Sequence, residues 1–234
     1  MEIILTVVGT ALGYFCGSIP FGLIIVRLKT GQDVRQFGSG RTGGTNVARA
    51  AGFWAGLVTA ALDIFKVTFA VWLASWVAGG NGWAEALGGV AGILGHNNSI
   101  FLLQRVTTEA GRTRLQFQGG AGGASAIGGA IGLWPLSVAF ILPAGLFFLF
   151  VIGYASVATM AVGLAAIVVF AVRAMYYGGP WAHVAFGALT LLLQVWALRP
   201  NIERLMNGSE RVFNKSLRGW WLARRTGEMS KQSK

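Results

Sequence analysis

Long apolar runs, divided by short clusters of polar and charged residues, make up almost the whole chain. The first run extends from about Ile3 to Val26 and stops at Arg27 and Lys29; three glycines and Pro20 in its second half predict a kinked or closely packed segment. The second, from about Ala51 to Ala78, ends in the turn sequence Gly79–Gly80–Asn81–Gly82. A shorter run, Ala84 to Leu94, leads into Gly95–His96–Asn97–Asn98. As helix it rises only about 16 Å against a hydrocarbon core of about 30 Å, so it extends toward Leu103, tilts, or lies in thinned bilayer. From Leu115 to Val172 no side chain is charged, and Pro135 and Gly153 are the natural interruptions. The last run lies between about Trp181 and Leu198, after Gly178–Gly179.

Charge gives this pattern a sidedness. Basic residues gather in 27–49, in 105–114 and in the tail 199–234, as in the cytosolic loops of a multi-pass membrane protein. If all three share one side, parity asks for two spans between the first and second clusters and an even number between 119 and 198. Four fit there, with connections at Pro135, Gly153 and Gly178–Gly179. The expected fold is therefore an all-α polytopic membrane protein with about seven transmembrane helices, N-terminus outside and C-terminus cytoplasmic. Five spans is the rival count. The transmembrane domain is expected over 1–198, with cytosolic loops at 27–50 and 104–118, and 199–234 as a basic cytosolic tail. Trp72, Trp76, Trp83, Trp134, Trp181 and Trp196 fall near the proposed helix ends, where indoles anchor. Arg173, on the outer side, is the one exception to the charge rule.

Composition agrees. Apolar residues are 54% of the 234, charged residues 12%, and the mean hydropathy is +0.61; a soluble domain has about 25% charged residues. The net charge of +11 raises the question of nucleic acid. No zinc-finger or RNA-binding pattern accompanies it, and membrane orientation with binding of anionic lipid or phosphate accounts for it instead. No nucleic-acid partner is expected. Cys16 is the single cysteine, which leaves no internal disulfide or thiolate metal cluster. The N-terminus lacks the basic n-region of a cleaved signal peptide.

Several polar groups interrupt the apolar pattern in places where chemistry is expected. Residues 38–49 read GSGRTGGTNVAR: glycines expose backbone N–H groups, Ser39, Thr42, Thr45 and Asn46 add neutral donors, and Arg41 and Arg49 add cations. That set suits a phosphate or another oxyanion, although the GK[ST] of a P-loop is missing. A flexible hydrophilic loop is the plainer reading. Residues 118–123, QGGAGG, are compatible with close helix packing and equally with a helix start whose N–H groups face an anion. His96 is placed to orient a substrate hydroxyl, to act as a base, or to cap a helix; His183 reads as structural. Asp63 and Lys66, three apart on one helical face, are expected to pair inside the bundle. No aspartate follows either histidine by four residues, so a His–Asp dyad of the soluble acyltransferase type is not expected, nor is a zinc site. Asn201, Arg204, Gly208 and Glu210 in PNIERLMNGSE bring polar groups to the end of the last span, either as site residues or as a solvated juxtamembrane helix.

Three segments in order, GSIPFG with GSGRTGGTNVAR, GHNNSIF followed by QGGAGGAS, and RPNIERLMNGSE, resemble the acyl-phosphate-dependent glycerol-3-phosphate acyltransferases of bacterial membranes. The likeness covers nearly the whole chain. It implies seven spans in the bacterial inner (plasma) membrane and an active site facing the cytoplasm. The implied reaction transfers an acyl group from acyl phosphate to the 1-hydroxyl of glycerol 3-phosphate, giving lysophosphatidate and phosphate without metal or organic cofactor. The implied partners are these two substrates and the membrane phospholipids. Ser39, His96, Asn201 and Glu210 would be catalytic. Thr45, Asn46, Arg49, Gly119, Gly120, Gly122, Gly123 and Arg204 would bind substrate, and Arg41 is expected to join them through its charge.

The chain also departs from the family pattern. Arg41 stands where the pattern has asparagine, Gln118 and Ala121 where it has lysines, and Leu198 where it has histidine; 21 residues separate His96 from Gln118, more than the pattern expects. Arg41, Arg105, Arg112 and Arg114 are the candidates to restore the missing cationic charge. Two other readings accompany the enzyme: a divergent paralogue that binds a lipid or phosphorylated substrate without this activity, and a small membrane transporter.

Overall fold

In the computed structural model the described residues are 1–107 and 113–225. Among them the chain forms eleven α-helices and one two-stranded hairpin. Helix α1 (Glu2–Ser18) is separated from α2 (Phe21–Thr30) at Ile19–Pro20. The proline has no N–H to continue the helix and drives the preceding residue to an extended backbone, as at Ile19. A single turn at Val34–Gln36 leads to α3 (Gly44–Ala51) and then α4 (Phe53–Val77). The Asn81 side chain caps α5 (Gly82–Asn97) by accepting from the Trp83 and Ala84 N–H groups. Strands β1 (Ser99–Thr107) and β2 (Thr113–Gln118) pair antiparallel, so the stretch expected as a cytosolic loop at 104–118 carries most of a hairpin. Its tip, with Glu109 and Arg112, lies outside the described residues. Helix α6 (Gly123–Leu133) is followed by a turn at Pro135 and α7 (Val138–Phe147), which runs through a wider turn to Ile152. Helix α8 (Ala155–Tyr177), α9 (Trp181–Ala197), α10 (Arg199–Met206) and α11 (Leu217–Arg225) complete the chain.

The expected breaks at Pro135, Gly153 and Gly178–Gly179 are all helix boundaries, but seven spans are not obtained. Among the described residues four segments are long and apolar enough to cross a membrane: Glu2–Thr30, Phe53–Val77, Pro135–Ile152 and Ala155–Tyr177. A fifth results if α9 and α10, bent by 65° at Leu198, count as one. The correction comes from length. Helix α5 has 16 residues and α6 has 11, rises of about 24 and 16 Å against a core of about 30 Å. With the count goes the parity argument that placed the two termini.

Small residues let these short helices pack at backbone contact. Gly9, Gly13 and Gly17 form one face of α1, meeting Ala74 of α4 and Gly88 and Gly92 of α5. A Cβ at Gly17 would overlap the Gly92 carbonyl, so the seam admits no side chain there. This is the small-xxx-small solution to association where lipid offers no hydrophobic drive. Val67, Val71, Ile93, Ile141, Phe170 and Phe186 fill the centre of the bundle. A second cluster, Leu23, Val26, Val34, Val47, Ala55 and Leu102, fastens the segment 31–52 onto α2, α4 and β1. At the opposite end of the bundle, buried His183 meets Arg173 through Nδ1 at 3.1 Å and Glu85 through Nε2 at 3.8 Å, consistent with its expected structural role. Arg173 lies over the Trp134 ring at 4.9 Å.

Candidate functional site

The site is assembled at the end of the bundle where α5 and α9 finish and α3, α4 and α6 begin. Its first wall is the loop 33–44. Asp33 caps the following turn, accepting the Arg35 N–H at 3.0 Å, and its carboxylate grips the Arg35 guanidinium at 2.6 Å. Arg35 beside it, with Arg27 more distant, pulls the Asp33 carboxyl down to about 2, and the carboxylate in return raises the Arg35 pKa. The Asn46 carboxamide holds the rest of the loop together. Its Nδ2 donates to the carbonyls of Val34, Phe37 and Arg41 at 3.1, 3.0 and 2.9 Å, and its Oδ1 accepts the Ser39 N–H. Asn46 is thereby committed to the loop, while Ser39 lines the adjacent cavity.

The second wall is the glycine-rich turn between β2 and α6, built on His96. The Gly120 N–H donates to the His96 carbonyl at 2.8 Å, and the Thr42 N–H donates to the Gly119 carbonyl at 3.2 Å, which joins the two walls. A Cβ on Gly120 would overlap His96 Nε2. The other face of the imidazole meets Asp63: Nδ1 stands 3.4 Å from Asp63 Oδ1, which also binds Lys66 Nζ at 2.8 Å. Lys66 in turn donates to the Ile19 carbonyl at the α1–α2 break. The Asp63–Lys66 pair matches expectation. His96 as its third member does not, since the spacing rule looked for an aspartate after the histidine and the partner comes from α4.

The third wall is the bend between α9 and α10. Asn201 Nδ2 donates to Glu210 Oε1 at 3.0 Å, and Arg204 Nε pairs with Glu210 Oε2 at 3.2 Å. Leu198 is buried at the bend, in the position where the resemblance expects a histidine. Arg41 ties all three walls. It projects from the first, donates through NH1 to the Gly120 carbonyl of the second at 3.0 Å, and through NH2 to the Ala197 carbonyl and, at 3.4 Å, to Asn201 Oδ1 of the third. Burial lowers the Arg41 pKa, nearby Arg204 lowers it further, and Glu210 opposes both. Arg49 is also shifted down, chiefly by burial and then by Arg211, with Glu210 opposing.

Between the walls lies a cavity of about 590 Å³. Ser39, Arg41, Gly119, Asn201 and Arg204 line it, as do Arg35 and Arg199. Thr45, Asn46, Arg49, His96, Gly120, Gly122, Gly123 and Glu210, also expected at the site, do not line it. Arg35 and Arg199 were missed from sequence, although both adjoin motifs already singled out. Arg35 donates to the Gln118 side chain at 3.2 Å, so a guanidinium stands beside a position where a family lysine was expected. Gln116 and Phe117 bring the hairpin into the cavity wall, whereas Arg105 and Arg114 do not line it. The buried Asn97 carboxamide faces Gly122 and has no hydrogen bond among the described residues. The described residues contain no cluster of three or more metal-ligating side chains.

A cavity ringed by four arginines, floored by glycines and open at a bundle end is chemically an anion site, and comparison with known proteins gives it a family. The family model for glycerol-3-phosphate acyltransferase matches residues 7–208. A glycerol-3-phosphate acyltransferase of Thermus thermophilus is 38% identical over 202 residues, covering 86% of this chain and 91% of that protein. One from Thermosipho melanesiensis is 38% identical over 200 residues, covering 86% and 88%. Among solved structures, the glycerol 3-phosphate form of PlsY (YgiH), an integral membrane glycerol 3-phosphate acyltransferase, superposes with a TM-score of 0.74 at 30% identity, over 89% of this chain and 95% of that one. Its lysophosphatidic acid form gives 0.72 at 28% identity. The chain belongs to the glycerol-3-phosphate acyltransferase family.

Proposed function

We propose that the chain transfers an acyl group from acyl phosphate to the 1-hydroxyl of glycerol 3-phosphate at this cavity, in the bacterial inner membrane, with the cavity facing the cytoplasm. The observation that carries the reading is Arg41, which bridges the three motif-bearing walls around one cationic cavity. Arg35, Arg199 and Arg204 supply the remaining charge for the two phosphate groups, since a guanidinium fork matches phosphate oxygens. The Ser39 hydroxyl orients the glycerol. His96 acts through the turn it supports, with Gly119 and Gly120 held against it, and Asn46 keeps Ser39 and Arg41 in place. Thr45 and Arg49 on α3, and Gly122 and Gly123 at the start of α6, surround this arrangement, while Glu210 fixes Asn201 and Arg204.

The glycerol hydroxyl oxygen attacks the acyl carbonyl carbon. The bond from that carbon to the phosphate oxygen breaks, and the departing phosphate takes the hydroxyl proton, giving lysophosphatidate and inorganic phosphate. Arginine charge and backbone N–H groups fixed in advance favour the anionic transition state. The fatty chain lies in an apolar groove of about 500 Å³ between α1 and α5, lined by Thr10, Tyr14, Phe15, Leu87 and Leu94. The Tyr14 hydroxyl at its end donates to the Asn98 carbonyl at 2.8 Å, and Asn98 borders the polar cavity. Each buried methylene adds about 0.8 kcal/mol. The test is purified protein in lipid nanodiscs with palmitoyl phosphate and glycerol 3-phosphate. Lysophosphatidate should accumulate in step with phosphate, and only when glycerol 3-phosphate is present; phosphate release without it, or no lysophosphatidate, refutes the reading.

A further inference from the structure

The segment 211–225 lies beyond the residues matched by the family model and is not used by the reaction. It carries Arg211, Lys215, Arg218, Arg224 and Arg225, and no acid. It is fixed where membrane-crossing segments end. The Phe213 N–H donates to the Gly153 carbonyl at 2.7 Å, the Phe213 ring meets Phe150 at 5.7 Å, Lys215 lies over Phe53 at 4.4 Å and Arg218 over Tyr154 at 4.7 Å. Buried Ser216 then starts α11 by accepting the Gly219 N–H at 2.9 Å.

At 3.6 residues per turn, α11 presents Trp220, Arg224, Leu217, Trp221, Arg225 and Arg218 along one arc. These six are the exposed residues of the helix, while Gly219, Leu222 and Ala223 are partly covered. Leu217 is 64% exposed and Trp221 48%. Arg224 stacks over the Trp220 ring at 3.7 Å and Arg225 over Trp221 at 4.0 Å, so each indole carries a cation on its face. An indole at the depth of lipid headgroups with a guanidinium beside it suits both the apolar boundary and the phosphate layer. We propose that α11 is an interfacial helix that binds the headgroups of anionic phospholipid at the ends of the membrane-crossing segments. Glu210, which holds Arg204 and Asn201, immediately precedes the segment.

The experiment uses the full chain in nanodiscs of phosphatidylcholine, and in discs with phosphatidylglycerol added, reading hydrogen exchange of amides 217–225. Exchange should be slower in the anionic discs, by about fivefold per cation and on the order of a hundredfold for the three arginines of the arc. Salt at about 1 M, where the Debye length is about 3 Å, should remove most of the difference. The triple variant R218Q/R224Q/R225Q should lose the lipid dependence while retaining acyl transfer, and R225Q alone should lose about fivefold. Equal exchange in the two discs, or a lipid dependence that survives the triple replacement, overturns the proposal.

Discussion

Replacing Arg41 with lysine separates charge from geometry at the centre of the site. Lysine keeps the positive charge, but its shorter, flexible stem ends in one nitrogen in place of the rigid fork from which two nitrogens donate separately to Gly120 and to Ala197. The contact to Asn201 at 3.4 Å is long and contributes least. The substitution therefore loses about one good charge-assisted hydrogen bond, worth about 1.5–3 kcal/mol. At about 1.4 kcal/mol per factor of ten, kcat/KM should fall about 10- to 150-fold. Arg41→Ala, which loses both bonds and the charge, should fall further.

The assay is steady-state acyl transfer in nanodiscs, with glycerol 3-phosphate and acyl phosphate varied in turn and thermal unfolding measured in parallel. If Arg41 joins the walls, R41K should lower kcat/KM for both substrates, because both phosphates sit between walls it holds. A purely electrostatic role predicts near-complete rescue by lysine. R41K within about threefold of wild type for both substrates would falsify the bridging argument.

Three further outcomes follow from the same geometry. Gly120→Ala should lower activity about 5- to 150-fold, since its Cβ overlaps His96 Nε2 and relief of such overpacking costs about 1–3 kcal/mol; G120A/H96A should recover part of the loss, and an unaffected single variant would refute the contact. Asp63→Asn leaves buried Lys66 without its counter-charge and should destabilise the bundle by about 3–5 kcal/mol in detergent unfolding, whereas D63L/K66M should lie close to wild type. Asp33 has a folded pKa of about 2 against an ordinary 3.8, so its contribution to the 34–36 turn is complete above 3.8 and is lost as pH falls toward about 2. Protection of the Arg35 amide should follow that window and lose its pH dependence in D33N; opening already complete at about pH 5 would contradict the assignment.

Element boundaries were legible in sequence because they are local chemistry. Pro20, Pro135, Gly153 and Gly178 break helices through a missing N–H or a left-handed backbone. The span count was not legible, because apolar composition measures what lipid tolerates and not whether a helix reaches across it. Helices α5 and α6 are apolar and short, and glycine seams bury them against longer neighbours. The site was half legible for a related reason. Motif residues announced the three walls, but the links between walls join residues far apart in the chain: His96 to Asp63, Arg35 to Gln118, Arg41 to Ala197. The hairpin 99–118 was also missed, since its polar alternation was read as a basic loop.

Those long-range links account for the lysines the resemblance expected at 118 and 121. At 118 a glutamine side chain accepts from Arg35, and just before 121 the Gly120 carbonyl accepts from Arg41. Set against the resemblance, that is a move of cationic charge from the glycine turn to the facing loop. Of the four arginines considered as replacements, Arg41 is in position, Arg105 and Arg114 do not line the cavity, and Arg112 is outside the described residues; Arg35 takes a part that sequence did not suggest. The move changes what the site depends on. A lysine on the turn needs only the turn, whereas Arg35 needs Asp33 to aim it and Arg41 needs Asn46 to hold its own carbonyl. In the proposed reaction Asp33 and Asn46 are then positioning residues, and damage to the loop should cost this chain more activity than the same damage would cost a relative with lysines on the turn.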